Sequence, residues 1–437
     1  MRKILRKIPA LLLLIIFMFP ALTVKADMPE INGSAAIAFD LETDELIYTK
    51  DIDKRVYPAS ITKLLTALVF SDYYSSKKTE YMLYPQEGKL VVPFAIYWNL
   101  KNIAVGTEIS ADDIMHALLL ESFNDASTVI ALNISETEAE FVKLMNAKAK
   151  ELGMMNSNFV TTNGLHDDNH YTTAYDLMLL LKASYNDPWI REVSMKQSYE
   201  MKSKNETLGL LENRNKHIGL LGNIMGKTGF TSQAGRCFAG VYERDGKIIG
   251  NVILDSADDG VNLQVFQETE EMVNAAFKEE KVIKLSKSEE VGVITVSYKP
   301  YKILGPTKEI EVPVKSADTI SYYGNDVNLS ETELKLTYLD LTSEAIKENT
   351  VVGNATVEER LVTKNVSLVS TVDVNDKILK THLFSYILIA FFTISFVVLV
   401  LYVTINNRRE KIARRRRIES ARRSNKYVDD SKRNRFK

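Results

Sequence analysis

The chain has 437 residues, one cysteine and a net charge of −2, so it is neither a small disulfide-stabilised protein nor a strongly basic nucleic-acid-binding protein. Its charge is uneven: the segment from Asn406 onward holds 14 Lys and Arg against 4 Asp and Glu, whereas residues 27–405 hold 36 against 53. The five histidines and the single cysteine show no spacing typical of metal ligands, and we therefore expect no metal or other cofactor.

The first 26 residues have the features of an export signal. Basic residues at positions 2, 3, 6 and 7 precede an apolar run over 8–24, and Val24-Lys25-Ala26 has the small residues of a cleavage site. A membrane-spanning helix is the alternative, but a span needs about 20 apolar residues. We predict a signal peptide over 1–26, and hence export of the chain that follows.

The next region predicts a hairpin, a group of helices and a return to strands. Residues 35–50 alternate in polarity around a turn, and apolar residues then recur at helical spacing from about 60 to 185. Residues 237–256 form a second hairpin with Asp245-Gly246 at its turn, and a closing helix follows over 262–278. This order predicts an α/β (α+β) domain over 27–278, with one antiparallel sheet and an inserted helical subdomain.

A serine and a lysine stand three residues apart at the predicted start of the first helix. Ser60 and Lys63 therefore project from one face. A serine hydroxyl is a weak nucleophile that needs a base, and a lysine is a base only when burial or a nearby cation keeps it neutral. The spacing alone is unspecific, because Ser75 and Lys78 share it and a serine is also a common helix cap.

Two more short motifs follow in the chain. Ser122-Phe123-Asn124 places a hydroxyl and an amide two residues apart after a helix, although Ser203-Lys204-Asn205 has the same pattern. Lys227-Thr228-Gly229 occurs once and opens a strand; Lys227 and Thr228 can hold a carboxylate, and Gly229 permits close approach of a substrate backbone. The three motifs in this order are the signature of class A β-lactamases and penicillin-binding proteins.

The last third of the chain predicts a small all-β domain and a membrane anchor. Short β-branched runs occupy residues 281–375, which we interpret as a β-sandwich-like spacer or docking domain. Residues 383–405 lack any charge and are long enough to span a bilayer. The basic tail over 406–437 predicts a single-pass protein whose catalytic domain is extracellular and whose tail is cytoplasmic and contacts membrane lipid.

The sequence resembles the low-molecular-mass penicillin-binding proteins, the serine-type D-alanyl-D-alanine carboxypeptidases, over about residues 30–275. Beyond the three motifs, the resemblance rests on the segments Pro58-Ala59, Asp125-Ala126, Asn163-Gly164-Leu165, Tyr171-Thr172-Thr173-Ala174-Tyr175-Asp176-Leu177, Gly226, Phe230-Thr231 and Ala234-Gly235. It implies the penicillin-recognising serine-transferase fold. It also implies a hydrolase that removes the terminal D-alanine from peptidoglycan stem peptides ending in D-Ala-D-Ala.

The resemblance assigns catalytic roles to residues of the first two motifs. Ser60 would attack the carbonyl of the penultimate D-alanine, and Lys63 would accept its proton. Ser122 would relay a proton to the departing D-alanine, while Asn124 would orient Lys63 and the substrate amide. β-Lactams mimic that amide and would acylate Ser60 as covalent inhibitors.

The resemblance assigns substrate binding to residues around the third motif. Lys227 and Thr228 would bind the terminal carboxylate beside Gly229, and Arg214 would lie near that carboxylate. The backbone N–H groups of Ser60 and Phe230 would form an oxyanion hole, in which each donor is typically worth about 3 kcal/mol.

Two features leave alternatives open. The middle residue of the second motif is Phe123 where the family usually has glycine or alanine, so its ring either narrows the cleft or fills space behind it. His166 and His170 permit a Ser-His-Asp arrangement, although Lys63 already supplies a base. Cys237 lies within an apolar strand and is expected to be buried and inert.

Three functions follow from these patterns. A D,D-carboxypeptidase of a Gram-positive-type bacterium fits all of them. A β-lactamase fits less well, because the segment after Asn124 lacks the glutamate of class A enzymes. A non-catalytic β-lactam or cell-wall sensor would be acylated at Ser60 and would signal to the basic tail. The balance of hydrolysis and transpeptidation, the stem-peptide preference and the oligomeric state stay open.

Overall fold

The structure, a computed structural model, describes residues 28–261, 263–301 and 305–433. The signal peptide predicted over 1–26 lies outside the described residues. The chain divides into two compact units: the first holds the residues up to Leu285 with Thr319–Lys335 and Thr356–Asn365, and the second holds Ser286–Asp318, Leu336–Ala355 and the residues from Val366 onward.

The strands in chain order are β1 Ala35–Asp40, β2 Leu46–Lys50, β3 Tyr81–Leu83, β4 Glu108–Ser110, β5 Ser198–Lys202, β6 Thr207–Glu212, β7 Asn223–Thr231, β8 Gly235–Arg244, β9 Lys247–Ser256, β10 Val282–Leu285, β11 Glu290–Tyr298, β12 Lys308–Ser316, β13 Ile320–Tyr322, β14 Glu333–Tyr338, β15 Val351–Glu358 and β16 Thr363–Ser370. The helices are α1 Thr62–Tyr74, α2 Ile96–Asn99, α3 Ala111–Leu119, α4 Asn124–Ile134, α5 Glu138–Glu151, α6 Ala174–Asn186, α7 Pro188–Ser194, α8 Gln264–Lys278, α9 Asp326–Glu331 and α10 Val374–Arg433.

The first unit is built on an antiparallel sheet with strand order β2-β1-β9-β8-β7. Both predicted hairpins are confirmed. The β8–β9 turn has Asp245 and Gly246 at φ 51° and 80°, which is the conformation that a two-residue hairpin turn with the strand's own twist requires. Helices α1 to α7 lie between β2 and β7 in the chain, so the predicted helical insertion is confirmed.

The sheet is covered on both faces, which the predicted polar alternation of the first hairpin did not anticipate. Ile37 and Phe39 of β1 belong to a core shared with the inserted helices, whereas Ala36 and Ala38 belong to a second core shared with α8. Successive side chains of a strand point to opposite faces, so a strand between two layers must be apolar throughout. This layering fixes β7, the strand of the third motif, against the start of α1.

Helix α1 is the centre of the helical layer. It is buried from Thr62 to Ser71, because other elements of the layer surround it, and its apolar residues are therefore spread around the helix. The helices that flank the site begin at side-chain caps: Ser110 accepts from the N–H of Asp113, and Thr173 accepts from the N–H of Asp176.

The β-branched runs of the last third form the strands that they predicted. The sheet order there is β11-β12-β16-β15-β14, and β10 pairs with β13. Helix α10 follows and is the one helix of the described residues that is long and apolar enough to cross a membrane. The predicted architecture of an antiparallel sheet with inserted helices, a β-rich region and a long apolar helix is therefore confirmed.

Candidate active site

Ser60 lies in a single turn of 3-10 helix, Ala59–Ile61, that runs directly into α1. The preceding residue, Ala59, has φ 46°, a conformation that costs a non-glycine residue about 1–3 kcal/mol and that often marks functional sites. The strained turn lets the chain enter α1 with the Ser60 side chain facing a cavity.

Lys63 is fully buried one turn after Ser60, and no carboxylate of the described residues hydrogen-bonds to its Nζ. Its Nζ donates to Ser60 Oγ at 3.0 Å, to Asn124 Oδ1 at 2.7 Å and to the carbonyl oxygen of Asn163 at 2.7 Å. Burial holds the pKa of Lys63 well below its usual range, and the positive charges of Lys227 and Arg214 lower it further. These are the conditions under which a lysine amine accepts a proton from a serine.

The acceptor carbonyl of Asn163 is held against the serine turn by the glycine that follows it. Gly164 has φ 84°, and a Cβ there would lie 1.9 Å from the carbonyl oxygen of Ala59, so only glycine permits this approach. His170 supports the same loop. It accepts from the N–H groups of Val160 and Thr161 and contacts the Thr62 hydroxyl at 2.9 Å.

The second motif is also strained, and it is braced by a loop that precedes α2. Ser122 has φ 62° and is almost completely buried. The backbone N–H of Asn124 donates to Phe94 O at 2.7 Å, and its Nδ2 donates to Pro93 O at 2.6 Å, which leaves Oδ1 for Lys63. The amide side chain is thereby fixed in one orientation, since each of its two ends has a defined partner.

The third motif meets the second through Lys227. Its Nζ is buried and donates to Ser122 Oγ at 2.7 Å and to the carbonyl oxygen of Thr228 at 3.1 Å. Burial lowers the pKa of Lys227 to about 7, with a further decrease from Arg214 that is opposed by Glu121. Lys227 therefore titrates near neutral pH.

Gly229 is where β7 passes close to the turn that contains Ser60. A Cβ on Gly229 would lie 3.0 Å from the carbonyl oxygen of Pro58 and 3.1 Å from the backbone nitrogen of Ser60. The close approach that we expected for a substrate backbone is thus also an approach of β7 to the serine turn, and it brings the Phe230 backbone to the same side of the cavity.

Arg214 is held at the cavity by two residues that the sequence did not single out. Its Nε lies 3.3 Å from Glu121 Oε2, and its guanidinium lies 4.4 Å from the centre of the Phe94 ring. Glu121 Oε1 also accepts from the N–H of Glu212 at 3.0 Å. Phe94 has φ 57°, so a third strained residue borders the cavity.

These groups surround a cavity of about 380 Å³. Its lining residues, several of them charged, are Ser60, Phe94, Glu121, Ser122, Glu212, Asn213, Arg214, Lys216, Thr228, Gly229, Phe230 and Arg236. The cavity therefore places the Ser60 hydroxyl beside cationic groups that suit a carboxylate.

Phe123 does not line the cavity. It is 1% exposed, lies in the core shared with the helices, and immediately precedes α4. The Phe123 ring therefore fills space behind the site and does not narrow the cleft. Phe94 is the aromatic residue that borders the cleft on this side, and it was missed because its loop carries no recognisable motif.

The histidines and the cysteine have structural surroundings. Burial lowers the pKa of His170 to about 4, and its partners in the described structure belong to the loop and to Thr62 rather than to Ser60. His166 packs edge-on against Tyr57 and pairs with Asp168. Cys237 is buried, as predicted, and burial raises the pKa of its thiol to about 12.

Comparison with known proteins decides the family. The family model described as D-alanyl-D-alanine carboxypeptidase matches residues 22–258, more than half of the chain. The chain belongs to this family. A penicillin-binding fold and a serine-type hydrolase of the D-alanyl-D-alanine carboxypeptidase class, as the motifs predicted, are thereby shown.

Two relatives of this carboxypeptidase align with it over most of their own lengths. The D-alanyl-D-alanine carboxypeptidase DacF of Bacillus subtilis is 27% identical over 70% of the chain and 76% of that protein. The D-alanyl-D-alanine endopeptidase of Escherichia coli is 33% identical over 53% of the chain and 74% of that protein.

Solved structures match the carboxypeptidase in fold. The D-alanyl-D-alanine carboxypeptidase of Mycobacterium tuberculosis has a TM-score of 0.54 at 23% identity and covers 59% of the chain and 96% of its own. A Streptomyces DD-transpeptidase has a TM-score of 0.54 at 22% identity and covers 58% of the chain and 100% of its own.

Proposed function

We propose that this carboxypeptidase acts through an acyl-enzyme on Ser60, with Lys63 as the base. The observation that carries the proposal is the contact between Nζ of the buried Lys63 and Ser60 Oγ at 3.0 Å. The two other acceptors of Lys63, Asn124 and Asn163, hold its nitrogen beside the hydroxyl. A neutral amine in this position removes the serine proton as attack begins.

The reaction then proceeds in two steps, acylation of Ser60 and hydrolysis of the acyl-enzyme. Ser60 Oγ adds to the carbonyl of the penultimate D-alanine while its proton passes to Lys63. The negative oxygen that forms is stabilised by the backbone N–H groups of Ser60 and Phe230. Ser122 gives its proton to the departing D-alanine amine as the peptide bond breaks, and it takes up the proton that Lys63 accepted, so both groups regain their starting states. A water molecule next attacks the Ser60 ester while Lys63 accepts one of its protons, and Lys63 returns that proton to Ser60 as the shortened peptide leaves.

Substrate selection in this proposal depends on the terminal carboxylate. Lys227 and Thr228 bind it at the edge of β7 beside Gly229, and Arg214 adds a second positive charge. A charged hydrogen bond to a carboxylate contributes about 1.5–3 kcal/mol. The substrate is accordingly a peptidoglycan stem peptide that ends in D-Ala-D-Ala, and β-lactams react at the same serine.

We also propose the topology that the sequence predicts. The signal peptide over 1–26 would be removed, the catalytic domain over 27–278 and the β domain over 281–375 would lie outside the cell, and 383–405 would span the membrane. The exposed apolar side chains of α10 and the basic residues of 406–437 support this arrangement, with the tail on the cytoplasmic side against lipid.

A second candidate activity is hydrolysis of D-alanyl cross-links between stem peptides. It is favoured by the 33% identity to the Escherichia coli protein named an endopeptidase, and by a cavity of about 380 Å³ that Glu212 and Lys216 also line. Digestion of purified cross-linked peptide dimers separates the activities: release of monomers supports cross-link hydrolysis, and release of D-alanine alone leaves the carboxypeptidase.

The Ser60 acyl-enzyme is tested by covalent labelling. The full-length protein in detergent is treated with penicillin and digested, and the modified peptide is identified by mass spectrometry. We expect the mass increase on the peptide that contains Ser60, its loss in S60A, and its retention in S75A, which alters the other serine with a lysine three residues later. Labelling of S60A would contradict the assignment of the nucleophile.

A further inference from the structure

The base of α10 is fastened to the end of strand β11 in the second unit. The Tyr298 hydroxyl lies 2.7 Å from Nε2 of His382, a buried residue of α10. One turn further along α10, the Tyr386 hydroxyl donates to the carbonyl oxygen of Pro300 at 2.6 Å, and its ring packs edge-on against Tyr301 at 5.8 Å. The segment after β11 is therefore attached to α10 by side chains on two successive turns.

These contacts set the depth of residues 299–301 relative to a membrane crossed by α10. Tyr386 lies three residues inside the uncharged segment that begins at position 383, which is about 4.5 Å along the axis at 1.5 Å per residue. The headgroup layer on each side of the hydrocarbon is about 5–8 Å thick. Because side chains of a helix lean toward its N-terminus, the Tyr386 hydroxyl lies nearer the start of the span than its Cα does. Its hydrogen bond to Pro300 therefore places residues 299–301 at the level of the lipid headgroups.

The side chains at this level suit a headgroup layer. Tyr301 is 41% exposed and Leu379 of α10 is 50% exposed, so apolar and aromatic surface is presented beside the span. Tyrosine is enriched at membrane interfaces because its ring is apolar and its hydroxyl is polar. Lys299 and Lys380 add positive charges, each worth about 1 kcal/mol near anionic lipid.

We propose that residues 299–301 and the first turns of α10 form a lipid-contacting surface, which we call the juxtamembrane platform. It binds phospholipid headgroups and seats the end of β11 on the bilayer, in addition to the hydrophobic anchoring by the span. The platform rests on the proposed membrane crossing of residues 383–405. It makes the connection between the sheet and the anchor a fixed contact rather than a flexible linker.

Depth-dependent fluorescence quenching in vesicles tests the platform. Full-length variants Y301W, Y338W and F396W are reconstituted in vesicles of phosphatidylcholine and phosphatidylglycerol, with nitroxide labels either on headgroups or deep in the acyl chains. Y338W is the matched control: Tyr338 is 43% exposed and lies near Gly292, which is six residues, or about 20 Å of strand, from Tyr298. The signal of the native Trp98 and Trp189 is subtracted using the unmodified protein.

The platform predicts that headgroup labels quench the indole of Y301W and leave that of Y338W nearly unchanged, while deep labels quench F396W. Adding Y386F to Y301W removes the donor to Pro300 and should reduce the quenching. If F396W is quenched but Y301W behaves like Y338W, the platform is wrong and the anchor stands. If F396W also escapes the deep label, the membrane crossing and the platform both fail.

Discussion

Lys227 donates to the hydroxyl of Ser122 at 2.7 Å, just as Lys63 donates to the hydroxyl of Ser60 at 3.0 Å. Each motif serine thus has its own buried lysine, and the two lysines are supplied by a helix and by a strand. Because each amine is desolvated and near other positive charge, neither keeps the pKa of a lysine in water. In the proposed mechanism the two lysines have different roles: Lys63 is the base for Ser60, and Lys227 binds the substrate carboxylate.

Removing the Lys63 amine should abolish most acylation. A positioned base contributes about 10²–10⁴-fold to rate, so K63A should lower the second-order rate of penicillin acylation by that range, whereas the unfolding temperature should stay near that of the unmodified protein. The rate is measured with fluorescent penicillin. K78A is the control, because Lys78 stands in the look-alike motif with Ser75 and should retain the full rate.

The pH dependence of hydrolysis should be bell-shaped. Lys63 acts when neutral, so kcat/KM rises with pH through its lowered pKa. Lys227 binds the carboxylate when protonated, and its pKa is about 7, so kcat/KM falls as pH increases past that value. A substrate ending in D-alaninamide lacks the carboxylate and should lose the alkaline fall. An identical alkaline limb for acid and amide substrates would argue against carboxylate binding by Lys227.

Glu121 should influence both Arg214 and the titration of Lys227. Its carboxylate pairs with Arg214 and raises the pKa of Lys227, so E121Q should move the alkaline limb to lower pH and raise KM for the acid substrate. The matched control is E212Q, which removes a carboxylate from the same cavity without removing the Arg214 contact. Equal shifts of the alkaline limb in both variants would refute a specific role for Glu121.

Truncation of the two aromatic residues near the second motif should affect different properties, the stability of the protein for Phe123 and substrate binding for Phe94. F123A removes a ring from the core and should lower the free energy of unfolding by about 3–5 kcal/mol. F94A removes a 42% exposed ring that stacks on Arg214, so it should raise KM with little change in stability. Denaturant unfolding and steady-state kinetics on both variants check this. If F123A changed KM and left the free energy of unfolding unchanged, Phe123 would border the cleft rather than fill space behind it.

The sequence predicted the parts of the site that require a particular side chain. Ser60, Lys63, Ser122, Asn124 and Lys227 were identifiable because their chemistry and chain order are specific. The predicted helices placed Ser60, Lys63, Ser122 and Asn124 near helix ends, where the structure also has them. The prediction that Lys227 opens a strand was wrong, because β7 begins at Asn223 and Lys227 lies in its middle. The layered sheet brings the motif residues into contact, through the hydrogen bonds of Lys63 with Ser60 and Asn124 and of Lys227 with Ser122.

The remaining parts could not be predicted because they depend on the backbone or on distant contacts. The acceptor on Asn163 is a carbonyl oxygen, which every residue possesses. Phe94 contacts Arg214 because of the conformation of its loop, and nothing in the local sequence predicts this contact. Glu121 directly precedes Ser122 in the chain, and this adjacency was the one sequence feature that could have indicated its place in the site. The pKa of Lys227 depends on burial, which is a property of the fold.

Release of D-alanine is the direct readout of peptide hydrolysis through Ser60. The full-length protein in detergent is incubated with diacetyl-Lys-D-Ala-D-Ala, and free D-alanine is measured over time beside S60A and S75A. We expect repeated turnover by the unmodified protein and by S75A, and none by S60A. Undiminished release by S60A, or absence of release from a protein that penicillin still acylates at Ser60, would contradict a carboxypeptidase that works through this serine.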